Sequence, residues 1–174
     1  MSLEQDIEFL GMQAVLAPLP REALRLLAFS SEMRVLRAGD VLFRTGDKAD
    51  GAYIVVTGTV ALDPRDDGSP AALTVGRGHL IGEIALFAAV ERPATAIARE
   101  TMTVMRIPRS VMARVLAEFP EAAARIHALL AQRLDQLSTE LAGVRRNLGA
   151  IGPEERNVTA RASEGESNGD RNMV

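Results

Sequence analysis

A glycine, a carboxylate and a guanidinium lie close together in the segment Ile81-Gly82-Glu83-Ile84-Ala85-Leu86-Phe87, which Arg92-Pro93-Ala94-Thr95 follows. Gly82 has no Cβ, so its backbone lets a ligand approach closely. The stretch after it is too irregular for a strand and too short for an independent helix. A turn followed by about one helical turn is the expectation. The amides after Glu83 then stand as the unpaired donors of a helix start, which favour an anion such as phosphate. Arg92 adds a planar fork that matches phosphate oxygens. Each hydrogen bond to a charged group is worth about 1.5–3 kcal/mol net. A carboxylate is out of place beside phosphate unless it serves another group. Glu83 accepts hydrogen bonds, so a sugar hydroxyl is its natural partner.

Other chemistry is sparse. The chain has 174 residues and no cysteine, which removes disulfides, thiolate catalysis and Cys-ligated zinc. Its two histidines, His79 and His127, fall on an expected strand edge and an expected helix, without the spacing of a metal pair. Both read as surface residues, no metal or other cofactor is expected, and no enzyme activity follows from the residues. The net charge of −3 and the isoelectric point near 5.5 argue against an autonomous nucleic-acid binder. The start, Met1-Ser2-Leu3-Glu4-Gln5-Asp6, is acidic and unlike a signal peptide. No apolar run approaches the roughly 20 residues that span a bilayer. A cytoplasmic location is the expectation.

Four regions organise the chain. Residues 1–31 read as helical, with Leu16, Leu19, Leu24 and Leu27 recurring and Ala17-Pro18-Leu19-Pro20 as a turn between two short helices. Residues 32–107 alternate short apolar runs, such as Tyr53-Ile54-Val55-Val56, with turn signals, such as Ala38-Gly39-Asp40 and Thr45-Gly46-Asp47. That pattern predicts a mainly β domain with flanking α-helices, a double-stranded β-helix or jelly roll, interrupted by the segment 81–95. Residues 108–148 read as a hinge helix, a break at Phe119-Pro120 and a long helix. Residues 149–174 are polar and aperiodic and read as a disordered tail. No internal repeat is evident.

The segment Gly82-Glu83-Ile84-Ala85-Leu86-Phe87…Arg92-Pro93-Ala94-Thr95-Ala96, with the glycines at Gly39, Gly46 and Gly58 upstream, resembles the phosphate-binding cassette of cyclic-nucleotide-binding domains. The likeness is to the sensor half of Crp/Fnr regulators and covers roughly residues 12–148. It implies that Glu83 holds the ribose 2′-hydroxyl and that Arg92 pairs with the cyclic phosphate. It also implies backbone contacts from Gly82, Ile84 and Ala85 and an amide from Ala94. Thr95 is either a contact or an ordinary strand residue. Pro93 departs from the pattern, because it lacks an amide donor and the hydroxyl that favours guanine in the family. The expected ligand is therefore cAMP rather than cGMP. Without a ligand, the same residues would form a buried Arg92–Glu83 ion pair.

The long helix carries Leu130, Leu134, Leu137, Leu141, Val144 and Leu148 at alternating spacings of four and three, an a/d heptad seam. At about 1.5 Å per residue, a helix over 120–148 is roughly 43 Å long. Such a seam wants a partner or packs back on its own domain; a parallel homodimer is the simplest partner. The resemblance supports pairing through this helix and implies that Ser138 and Thr139, otherwise exposed polar positions, contact the base. Ile126, Leu129 and Leu130 would form an apolar lid over it. The tail 149–174 offers no recognition helix, so no direct DNA binding is expected. The output is expected to lie in an unidentified partner protein or in the dimer itself, unless an output domain is missing from the sequence. The competing expectation is a ligand-free dimerisation scaffold that acts on a partner regulator.

Overall fold

A computed structural model describes residues 2–64 and 71–150, with side chains to residue 142. The side chains of Val144 and Leu148 in the expected seam, and residues 151–174 of the expected tail, lie outside that description. Helix α1, Leu3–Gly11, starts from a capping box: Ser2 Oγ accepts from the Gln5 amide at 3.3 Å and Gln5 Oε1 accepts from the Ser2 amide at 2.8 Å. Helix α2, Arg21–Ser30, begins after Pro20, whose fixed φ suits a helix entry.

Ten strands follow. They are β1 (Glu32–Leu36), β2 (Val41–Phe43), β3 (Lys48–Ala49), β4 (Gly51–Thr57) and β5 (Val60–Asp63), then β6 (Leu73–Val75), β7 (Leu80–Ile81), β8 (Val90–Glu91), β9 (Thr95–Ala98) and β10 (Met102–Pro108). One antiparallel sheet runs β1-β10-β4-β7, a second runs β2-β9-β5-β6, and β3 pairs with β8. Neighbours distant in sequence, such as β1 with β10 and β2 with β9, give the jelly roll the turn spacing predicts.

Two apolar clusters hold this arrangement, and β4 divides them by parity. Ala52, Ile54 and Val56 face a cluster that includes Leu10, Leu16, Leu27, Met112 and Ile126 from the helical segments. Tyr53 and Val55 face the interior of the roll with Phe43, Val60, Ala96 and Val104. Successive strand residues point to opposite faces, so a strand covered on both sides reads as a continuous apolar run. Strand β10 repeats the division: Met105 and Ile107 join the helices, and Met102 and Val104 the interior. A large apolar side chain buried in this way contributes about 1.5–3 kcal/mol.

After β10, helix α3 runs Arg109–Glu118 and helix α4 runs Pro120–Ala150. The break falls at Phe119, with φ −120° and ψ 69°, as the Phe119-Pro120 pair predicts. Helix α4 continues through Gly149 and Ala150, which the sequence assigns to the tail. A single glycine costs a helix only about 1 kcal/mol. The chain divides into two compact units, Met1–Leu130 and Ala131–Val174. The boundary falls within α4, and after it Leu134, Leu137 and Leu141 are exposed at 65%, 56% and 68%.

Gly58, between β4 and β5, has φ 78°, and a Cβ there would lie 2.6 Å from Met102 Cβ and 2.9 Å from Thr101 O. Gly58→Ala is therefore expected to destabilise the domain by about 2 kcal/mol or more, read as a lower urea midpoint at unchanged m-value.

Candidate functional site

Ile81 ends β7 and Gly82 follows in the left-handed conformation, φ 77° and ψ 36°. A single 3₁₀ turn, Glu83–Leu86, begins there. The Ala85 amide donates to Gly82 O at 2.9 Å, so this turn already uses one of the donors that the sequence offers to a ligand. Ala85 and Leu86 are buried, and Leu86 enters the helical core with α3 and the start of α4. Ile84 points outward at 54% exposure, and Glu83 is half-buried. The turn is thus anchored by one face and exposed on the other.

Arg92 directly follows β8 and is only 4% exposed. A small turn fixes its backbone from both sides: the Arg92 amide donates to Asp47 O at 2.8 Å and the Gly46 amide donates to Arg92 O at 2.9 Å. In that turn Asp47 Oδ2 accepts from the Arg44 amide at 2.8 Å. Seven residues earlier the chain builds the same device, in which Asp40 Oδ2 accepts from the Arg37 amide at 2.7 Å. There the Gly39 amide donates to Ala98 O at 2.8 Å and the Ala98 amide donates to Asp40 O at 2.9 Å. Arg37-Ala38-Gly39-Asp40 and Arg44-Thr45-Gly46-Asp47 are therefore one turn used twice, clamping the two ends of the Arg92–Ala98 segment. The repeat is visible in the sequence as Arg-x-Gly-Asp at a seven-residue spacing, a signal the glycines alone do not convey.

The Arg92 side chain turns inward. Nη2 donates to Gly51 O at 2.8 Å, and the guanidinium carbon lies 4.3 Å from the Phe43 ring centroid and 5.4 Å from that of Tyr53. Gly82 closes the other side: a Cβ at that position would stand 2.3 Å from Arg92 Nη1. The structure therefore brings Gly82 and Arg92 into direct contact. Nη1 is buried and has no hydrogen-bond partner, and Arg92 forms no salt bridge among the described residues. Burial pulls its pKa below the usual value, against the opposing pull of Tyr53, Asp50 and Asp47. A guanidinium still remains charged at neutral pH. A buried cation without a paired anion is costly.

Pro93 and Ala94 form the bend between Arg92 and β9. Thr95 is fully buried, and its Oγ1 accepts from the Thr45 amide at 3.0 Å and lies 3.2 Å from Thr45 Oγ1. Its hydroxyl serves the clamp turn. Leu130 is half-buried against the helical core, and Ile126, an expected lid residue, is fully packed inside that core. Ser138 and Thr139 are exposed on the second unit, where Thr139 Oγ1 donates to Asp135 O at 2.9 Å. His79 and His127 are both exposed, and no group of acidic or histidine side chains among the described residues could hold a metal ion.

Gly82→Ala places a methyl group against Nη1 and forces an L-residue to positive φ. It is expected to cost about 1–3 kcal/mol in urea unfolding and to displace the Arg92 side chain, seen as changed NMR shifts at Phe43 and Tyr53.

Residues 33–119 match the family model of the cyclic nucleotide-binding domain. A cyclic nucleotide-binding-like protein of Brucella abortus is 45% identical with a TM-score of 0.60, over 65% of this chain and 98% of that one. The N-terminal domain of a transcriptional regulator from Streptomyces coelicolor is 30% identical with a TM-score of 0.67, over 74% of this chain and 94% of that one. A lysophospholipase, nte1, of Aspergillus fumigatus is 30% identical over 76% of this chain, which spans 9% of that protein's length.

Proposed function

The chain belongs to the cyclic nucleotide-binding domain family, and we propose that it is a non-enzymatic sensor whose cassette takes up a cyclic nucleotide, cAMP in preference to cGMP. One observation carries this reading: a buried guanidinium at Arg92 beside a left-handed glycine, with Nη1 lacking a partner and no salt bridge among the described residues. A phosphodiester brings the single negative charge and the acceptors that this group lacks. Glu83 takes the ribose 2′-hydroxyl, which distinguishes a ribonucleotide from inorganic phosphate. Gly82, Ile84 and Ala94 supply backbone contacts. Pro93 contributes neither an amide nor a hydroxyl, and its lack of a hydroxyl favours cAMP over cGMP.

The signal travels through packing. Leu86 of the cassette turn shares one core with Met112 and Val115 of α3 and Ile126 of α4. A nucleotide that draws the turn inward therefore biases the position of both helices. It does so only to the extent that it binds one arrangement more tightly than the other. Downstream, the exposed Leu134, Leu137 and Leu141 continue the heptad and support a parallel homodimer as the readout element. The response passes to a partner protein in the cytoplasm. None of the described helices is long and apolar enough to cross a membrane.

Calorimetric titration of the whole chain with cAMP and with cGMP tests the sensor reading. Micromolar or tighter binding of cAMP is expected, with Arg92→Ala lowering the affinity at least about 100-fold. Absence of heat with both nucleotides favours the ligand-free scaffold, for which the contact of Arg92 with Gly51 O is the supporting observation. Independently, Leu137→Glu places a carboxylate in the seam and is expected to shift the chain from dimer to monomer in sedimentation velocity, with cAMP affinity within about threefold.

A further inference from the structure

Resting on the reading of Arg92 as the phosphate-binding cation, we propose that Phe43 and Tyr53 are positioning residues that hold its guanidinium in a stowed position, from which the nucleotide must draw it. Nη1 lacks a partner, yet it has less than 1 Å² of accessible surface. A phosphate oxygen has to come within about 2.9 Å of that nitrogen, so one side of the contact must move. The Arg92 backbone is clamped through Gly46 and Asp47, and the 82–86 turn is anchored through Ala85 and Leu86. Between those anchors, which allow the turn only a small shift, the part with the larger freedom is the side chain, held by Gly51 O and the two rings.

The seat is incomplete by construction. The face of an aromatic ring attracts a cation but accepts no in-plane hydrogen bond, and Gly51 O satisfies only Nη2. Stowing shields the charge without meeting its donors, so a phosphate that accepts from both terminal nitrogens can displace the seat. The apparent affinity is then the intrinsic affinity reduced by the fraction of molecules with the guanidinium released. Phe43 is the stronger of the two holds, at 4.3 Å against 5.4 Å for Tyr53. Weakening the hold should tighten nucleotide binding even as it loosens the core, because both rings also pack in the interior cluster.

The test compares wild type, Phe43→Leu and Tyr53→Leu by cAMP calorimetry and thermal melting, with NMR of the Arg92 side-chain Nε–Hε group in the wild type, assigned by Arg92→Lys. A tighter cAMP Kd is expected for Phe43→Leu, by about fivefold, with a smaller gain for Tyr53→Leu, while both lower Tm. A purely structural role would lower Tm and weaken binding together. In the free wild type the Arg92 Hε resonance should carry a ring-current shift that saturating cAMP removes. Retention of that shift in the complex, or unchanged or weaker binding by the leucine variants, overturns the stowed arrangement and leaves the sensor reading intact. Failure of the wild type itself to bind cAMP overturns both. The wild-type NMR decides the matter even if a leucine variant does not fold.

Discussion

Arg92 brings a guanidinium ion into the interior of the roll at 4% exposure, and the surrounding structure answers the cost of that burial. An isolated charge in such a place would normally be neutralised or expelled. Here a peptide carbonyl meets one nitrogen, two aromatic faces shield the plane, and a glycine without Cβ makes room for the other nitrogen. None of these supplies negative charge. The duplicated Arg-x-Gly-Asp turn then keeps the backbone of this arginine from relaxing outward. Among the described residues the guanidinium is thus held and shielded without a salt bridge.

The same geometry links that site to the rest of the domain. Strand β4 begins at Gly51, whose carbonyl holds Arg92, and its alternate residues feed the interior cluster and the helical cluster. Within residues 82–92, Leu86 belongs to the helical cluster while Arg92 rests on Phe43 and Tyr53 of the interior one. The cassette therefore bridges the two cores. In the proposed reading, a ligand that shifts the turn by a small distance acts on packed side chains, which respond by repacking rather than by gradual deformation. Helices α3 and α4 start from that repacked surface.

Much of this was legible from residue types. The apolar run Tyr53-Ile54-Val55-Val56 marks a strand, Phe119-Pro120 marks the break between α3 and α4, and Gly82 and Arg92 stand out by residue type, although their contact with each other is seen only in the fold. Other features were not legible, because they join residues far apart in the chain. Phe43, Gly51 and Tyr53 meet Arg92 only once β2, β4 and β8 are in place, and no local pattern marks an aromatic ring as a seat for a cation. Ile126 looked like a lid residue because it is apolar and near the helix start; its position among Leu27, Ile54 and Met112 depends on the fold. Thr95 was ambiguous for a similar reason, since its hydroxyl finds Thr45 across fifty residues of sequence. The repeated Arg-x-Gly-Asp turn was available in the sequence and is recognised through its hydrogen bonds.

A crystal structure of the whole chain grown with cAMP tests the central claim most directly. The account predicts the cyclic phosphate within hydrogen-bonding distance of Arg92 Nη1, the ribose 2′-hydroxyl on Glu83, and the Nη2 bond to Gly51 O broken. A nucleotide bound elsewhere, or a phosphate in the cassette with Arg92 still seated on Phe43 and Gly51 O, would contradict it.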